Sequence, residues 1–165
     1  MQTKFYIFRH GETFATKAGT WYGTKIFSAD ILPEGKPSLE RMGKYMQNIE
    51  TDFQVSSQIK RCQQTSDIIA GYTGREFVYD KRLNEFFLET YWHLKKRVKS
   101  LLQEIEENKY QSVALCTHGA IIAVLLHQLS LQKKIRLFNF FNYPPPGVLT
   151  IVQGDTVQQV SFNDQ

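Results

Sequence analysis

The sequence predicts an α/β fold: a three-layer α/β/α sandwich around a mostly parallel sheet with an antiparallel edge. Three observations predict it. Short apolar runs suited to buried strands alternate with segments of helical periodicity along the chain. Repeated strand–helix units of this kind build parallel sheets covered on both faces. The chain then ends in two strand-like segments joined through Gly154–Asp155, a two-residue hairpin signal that reverses direction.

Residues 4–8 (Lys-Phe-Tyr-Ile-Phe) read as a buried strand ending at Arg9–His10–Gly11. Residues 37–50 read as a helix with Pro37 at its start, since Leu39, Met42, Met46 and Ile49 recur at helical spacing. A second strand is expected over 52–56. It is followed by a helix over 58–70 that turns Ile59, Cys62, Ile68 and Ile69 inward and stops at Gly71. A short strand at Glu76–Tyr79 precedes a long helix from about 89 to 108, with Leu94, Val98, Leu101, Leu102 and Ile105 on one stripe. Residues 112–116 make another buried strand, and 119–130, apolar nearly all round, a helix packed within the protein. Strands over 148–152 and 156–162 close the fold, entered through the stiff connector Tyr143–Pro144–Pro145–Pro146–Gly147. That proline run is internal and too short to serve as an SH3-type ligand.

With 165 residues the chain suits a single domain, taken as residues 1–165. A chain of this size buries roughly two thirds of its surface on folding, so it needs neither disulfides nor a structural metal. Twelve Phe, eight Tyr and two Trp against ten Gly and five Pro argue against disorder. No apolar run is long enough to span a membrane, and the N-terminal run is too short for a signal peptide. The two cysteines, Cys62 and Cys116, form no CxxC pair. This excludes a disulfide framework and a zinc ribbon, and a reducing, cytoplasmic setting is expected. Both cysteines read as small buried side chains. The net charge of +4 favours acidic ligands without implying nucleic acid. The basic clusters Lys95–Lys96–Arg97–Lys99 and Lys133–Lys134–Arg136 read as solvated helix faces, and no nucleic-acid-binding motif accompanies them.

Ligands of such sheets bind beyond the carboxyl ends of the strands. There the chain places Arg9–His10–Gly11–Glu12–Thr13, Ser56–Ser57–Gln58–Ile59–Lys60–Arg61 and Thr117–His118–Gly119. Guanidinium groups grip phosphate with forked, charge-assisted hydrogen bonds. A helix opening at Gly119 adds free N–H groups and a favourable dipole. Neutral histidine can attack phosphorus directly. Each residue alone has a bland explanation: a satisfied structural His, a surface Arg, a turn Gly. Two histidines and two arginines on strand ends expected to lie side by side point instead to phosphoryl transfer, which needs positioning and charge neutralisation.

These segments carry a resemblance. Phe8–Arg9–His10–Gly11–Glu12–Thr13 resembles the Arg-His-Gly signature of the histidine phosphatase superfamily, the phosphoglycerate mutase-like branch one. The run Ser56 to Thr65 resembles its Ser-Ser-x-x-x-Arg-x-x-x-Thr block, Leu83–Asn84–Glu85 its Leu-x-Glu element, and Cys116–Thr117–His118–Gly119 its second His-Gly block. The resemblance covers nearly the whole chain. It implies a phosphoglycerate mutase-like fold, no cofactor or metal, His10 as nucleophile, and Arg9, Arg61 and His118 on the phosphoryl oxygens. It makes Glu85 the general acid, with Glu89 nearly as plausible from the residues alone and Glu12 a minor rival. Thr16 stands where the family commonly has an Asn phosphate ligand, and Gly119 opens the anion-binding helix.

The segment between Glu85 and the following helix is too short for the covering insertion of larger family members. This predicts an open, solvent-accessible phosphate pocket that admits bulky substrates, phosphoproteins included, and favours hydrolysis over mutase chemistry. Trp21, Tyr22 and the Phe86–Phe87 pair are the expected rim residues, with a core position at least as strong a reading for the two phenylalanines. Phe86, Phe87, Phe138, Phe140, Phe141 and Tyr143 read chiefly as core. The leading expectation is therefore a phosphatase (a hydrolase of phosphomonoesters or phosphoproteins) acting through phospho-His10. A catalytically weak phospho-ligand-binding relative and a mutase-type phosphotransferase are the competitors.

Overall fold

The structure, a computed structural model, describes residues 2–129 and 142–164. The clusters Lys133–Lys134–Arg136 and Phe138–Phe140–Phe141 lie outside those residues. Six strands form one mixed sheet in the order β3-β2-β4-β1-β5-β6, made by β1 (Lys4–Arg9), β2 (Phe53–Ser56), β3 (Val78–Tyr79), β4 (Ser112–Thr117), β5 (Val148–Gln153) and β6 (Thr156–Ser161). β3, β2, β4 and β1 run parallel, while β5 and β6 run antiparallel to their neighbours. The helices are α1 (Phe14–Ala18), α2 (Lys36–Met46), α3 (Lys60–Thr73), α4 (Tyr91–Glu107) and α5 (Gly119–Leu129).

The period of two along β1 divides the molecule into its layers. Phe5 and Ile7 point to one face, into a core with Leu94, Val98, Leu101 and Ile105 of α4 and Ile121, Val124 and Leu125 of α5. Tyr6 and Phe8 point to the other face, joining Met42 and Met46 of α2 and Cys62 and Ile69 of α3. The expected α/β/α sandwich is thus present, with both faces of the inner strands β1 and β4 covered. Among the described residues no helix is long and apolar enough to cross a membrane.

Three local readings need correction. α3 does not stop at Gly71; it continues to Thr73, and Gly74 takes the left-handed conformation (φ 68°) that ends it. A helix-interior glycine costs only about 1 kcal/mol, and packing of α3 against the sheet overrides that. Ile68 is half-buried while Ile59, Cys62 and Ile69 are buried, because the stripe is narrower than expected. The strand expected at 76–79 shrinks to Val78–Tyr79, both exposed at the sheet edge.

Register sets up the site. Arg9 is level with Thr117 and Ser56 with Cys116. The next residues continue this alignment, as His10 N–H donates to Thr117 O (3.0 Å) and Ser57 N–H to Cys116 O (3.0 Å). Three strands distant in sequence therefore end at one place.

Candidate active site

His10, Arg61 and His118 converge at these strand ends, each with no exposed surface. The His10 and His118 rings lie 5.3 Å apart, centroid to centroid. His10 Nδ1 is 2.8 Å from the Gly11 carbonyl. A carbonyl only accepts, so Nδ1 carries the ring proton and Nε2 keeps a bare lone pair. Burial, then the Arg61 and Arg9 charges, hold the His10 pKa well below the usual imidazole value, so the ring is neutral at pH 7. The loop is held from α3: Gly11 N–H donates to Thr65 Oγ1 (2.8 Å), whose hydroxyl donates to Arg61 O (2.7 Å).

Arg61 donates through Nη1 to the Ile26 carbonyl and through Nη2 to Glu85 Oε2 (3.2 Å). Its guanidinium carbon sits 4.1 Å from the centre of the Tyr22 ring. Arg9 stacks likewise on Tyr143, at 4.9 Å. Tyr143 occupies the space a side chain at position 119 would need, since a Cβ there would lie 2.2 Å from the ring. Gly119 is thus required by packing at the start of α5.

The His118 tautomer follows from a chain of partners. Gln58 N–H donates to Asn84 Oδ1 (2.9 Å), which makes that oxygen an acceptor. Ser57 therefore donates its hydroxyl to Asn84 Oδ1 (3.0 Å). Ser57 Oγ in turn accepts from Ile59 N–H (3.2 Å) and from His118 Nε2 (2.8 Å). The ring proton of His118 is on Nε2. Burial first, then Arg61, His10 and Arg9, keep its pKa well below the usual value, so Nδ1 is bare. Nδ1 lies 3.4 Å from Glu85 Oε2, within ion-pair range but without hydrogen-bond geometry.

Three buried nitrogens have no hydrogen-bond partner among the described residues: Arg9 Nε, Arg61 Nε and His118 Nδ1. Buried polar atoms are rarely left so, and the coincidence of three at one place marks a ligand site. His10, Glu85 and His118 also bring ligand atoms within 4.8 Å of one another, a set that could hold a metal ion. Two guanidinium groups beside them oppose a cation and favour an anion.

The remaining expected residues separate clearly. Glu85, with its side chain 15% exposed, enters the site. Glu89 does not: it is turned onto Arg97, 3.1 Å from Nε. Glu12 is tied through its carbonyl to Leu32 N–H (2.7 Å). Thr16 spends its hydroxyl on the N-cap of α1, accepting from Thr13 N–H (2.8 Å) and donating to Thr13 O (3.1 Å). Tyr22 enters and Trp21 does not, the latter being 89% exposed. The Tyr22 hydroxyl lies 2.9 Å from Thr13 Oγ1 and 3.4 Å from His10 Nε2. Its pKa is raised, chiefly by burial, so it remains a phenol.

The expectation of an open pocket fails. Tyr22 and Ile26 roof Arg61, and Phe27 packs edge to face on Phe87 at 5.4 Å, joining this segment to the Glu85 loop. The absent insertion after Glu85 is replaced by residues that precede α2. Sequence reading also missed Arg97, which it assigned to a solvated face. Its Nη1 and Nη2 donate to the carbonyls of Arg82 (2.5 Å) and Asn84 (2.8 Å), clamping the loop that presents Glu85. The available signal was its position three residues after Leu94 and four before Leu101, at the border of the apolar stripe.

No curated protein is significantly similar in sequence. Among solved structures, the alpha-ribazole phosphatase of Shigella flexneri superposes with a TM-score of 0.78 at 14% identity, covering 98% of this chain and 96% of that one. The mycobacterial glucosyl-3-phosphoglycerate phosphatase, solved with VO3, gives 0.78 at 17% identity, with 96% of each chain covered. A phosphoglycerate mutase from Bacillus anthracis gives 0.70 at 15% identity, covering 96% of this chain and 92% of that one. At these identities the likeness is one of fold, and length does not divide phosphatases from mutases. The sequence profile of the histidine phosphatase superfamily (branch 1) matches residues 5–95 and 88–164, which takes in both His-Gly elements, and on that match the chain belongs to this superfamily.

Proposed function

We propose that the protein is a phosphomonoester phosphatase working through a phosphohistidine on His10. The observation that carries this reading is the pairing of a buried, neutral imidazole, its unprotonated Nε2 facing the Tyr22 hydroxyl, with three unpartnered buried nitrogens around it: the donors Arg9 Nε and Arg61 Nε, and His118 Nδ1. Arg9, Arg61 and a protonated His118 Nδ1 hold the phosphoryl oxygens. The His10 Nε2 lone pair forms the N–P bond as the P–O bond to the leaving group breaks. Glu85 gives its proton to the departing oxygen. Water then attacks phosphorus, Glu85 takes the water proton, the N–P bond breaks, and inorganic phosphate leaves. Charge neutralisation comes from the guanidinium groups, so no step calls for a metal.

Hydrolysis is favoured over transfer between positions of a phosphorylated acid. A mutase substrate carries a second anionic group, and neither the roof segment 26–28 nor the segment 86–88 after Glu85 carries a basic side chain. The roof over Arg61 favours a small phosphorylated metabolite over a phosphoprotein side chain. The two free thiols, Cys62 and Cys116, both buried, fit a reducing compartment such as the cytosol.

The test is a trapping experiment. Brief incubation with a labelled aryl phosphate, with and without EDTA, should leave an acid-labile, base-stable label on the wild-type chain, and His10→Ala should leave none and lose several orders of magnitude in rate. A fully active His10→Ala protein would end the proposal.

A further inference from the structure

The rim of the roofed site is made of large apolar side chains held in water. Phe27 is 55% exposed, Phe87 40% and Leu88 91%. Rings and branched side chains of this size normally enter the core. Leu88 is also held at φ 49°, a left-handed conformation that a bulky residue rarely adopts and that marks functional loops. None of this is random surface. Phe27 directly follows Ile26, whose carbonyl receives Arg61 Nη1, and Phe87 is two residues past Glu85. The ring pair at 5.4 Å is therefore the contact between the segment that roofs the phosphate-binding guanidinium and the loop that presents the carboxylate.

The position fixes what these rings can meet. Glu85 Oε2 faces His118 Nδ1 and Arg61 Nη2 on its inner side. An ester oxygen that receives a proton from Glu85 has phosphorus inward, so the carbon group it carries extends outward to the rim. The nearest cation in sequence, Lys25, lies over the Phe14 ring at 5.7 Å. A flat apolar group there would bury the exposed faces of Phe27 and Phe87.

We infer that the substrate is a phosphomonoester of a ring-bearing aromatic alcohol, with the ring packed against Phe27, Phe87 and Leu88. This rests on the phosphatase reading above. It is tested by comparing kcat/KM for 2-phenylethyl phosphate and ethyl phosphate, whose leaving alcohols have similar acidity and so ask the same of Glu85. The wild-type protein should prefer the phenyl ester by about 10-fold or more, the scale of a filled apolar subsite. The Phe27→Ala/Phe87→Ala double variant should bring the ratio close to one. Turnover of both esters with equal kcat/KM, or a preference undiminished in the double variant, overturns the inference and leaves the phosphatase reading standing. Failure to turn over either ester, while the aryl phosphate still labels His10, likewise overturns the inference alone; loss of that label as well removes the phosphatase reading with it.

Discussion

Anion binding at this site should take up one proton, and His118 should be where it goes. In the free protein Nε2 of His118 bears the ring proton and gives it to Ser57 Oγ at 2.8 Å, a polarity imposed by Asn84 Oδ1. Burial and Arg61 keep the ring neutral, so Nδ1 presents a lone pair to the cradle. A lone pair repels a phosphoryl or sulfate oxygen, and the repulsion is removed only by protonating Nδ1. Sulfate is dianionic across the neutral range and contributes no titration of its own. Above the free-state His118 pKa, which lies below 6.5, each pH unit should then weaken sulfate binding about tenfold, or about 1.4 kcal/mol. Isothermal titration of sulfate between pH 6.5 and 8, in two buffers of different ionisation enthalpy, reads both the slope and the proton count. His118→Gln, which cannot take the proton, should flatten the profile. Affinity independent of pH in the wild type would refute the reasoning. So would a slope that survives in His118→Gln, which would move the proton to His10 Nε2 or to Glu85.

Three further outcomes follow from the geometry. Arg61→Lys should cost about 1–3 kcal/mol or more in kcat/KM, because an ammonium cannot serve the Ile26 carbonyl, Glu85 and an oxyanion together; wild-type kcat/KM would remove Arg61 from the cradle. Arg97→Met should release the 82–89 loop, lowering stability by about 1–3 kcal/mol in denaturant titration and lowering kcat more for alkyl than for activated aryl phosphates; equal losses on both substrates would show that Arg97 does not act through Glu85. Since His10 and His118 are both held neutral by burial, the unfolded chain binds more protons than the folded one below pH 6.5. Stability should be full above that pH and fall by roughly 1 kcal/mol per histidine for each unit below it, down to the folded-state values, and His118→Gln should halve the slope of denaturation midpoint against pH.

The fold and the convergence of His10, Arg61 and His118 were legible because they depend on short-range patterns. The alternation of Phe5, Tyr6, Ile7 and Phe8 between two helix layers, and the position of His10, Arg61 and His118 at strand ends, follow from periodicity and from the rule that ligands meet parallel strands at their carboxyl ends. Glu85 was separated from Glu89 only by the structure, because the choice depends on Arg97, eight residues beyond Glu89, reaching back to claim it. The roof was illegible for a similar reason. Counting residues after Glu85 rules out one cover, but it says nothing of residues 22–27 folding over Arg61. Thr16 illustrates a local competitor: a hydroxyl one turn into a helix is readily captured by the N-cap, and Thr13 captures it.

Phe27 and Phe87 sit on loops, while His10, Ser57 and His118 follow directly from strands held in register. The two parts answer to different constraints. Displacing a strand end by one residue would turn every side chain of that strand to the opposite layer, so the reactive groups can hardly drift without loss of the fold. Exchanging a ring for an alcohol or a cation on either loop disturbs no sheet hydrogen bond and little of the core. On the proposed mechanism, a handful of loop residues sets the substrate while His10, Arg61 and His118 keep their geometry. The same division gives an engineer a place to begin, with libraries confined to positions 27, 87 and 88, which spare Tyr22 and its contacts with Arg61 and His10.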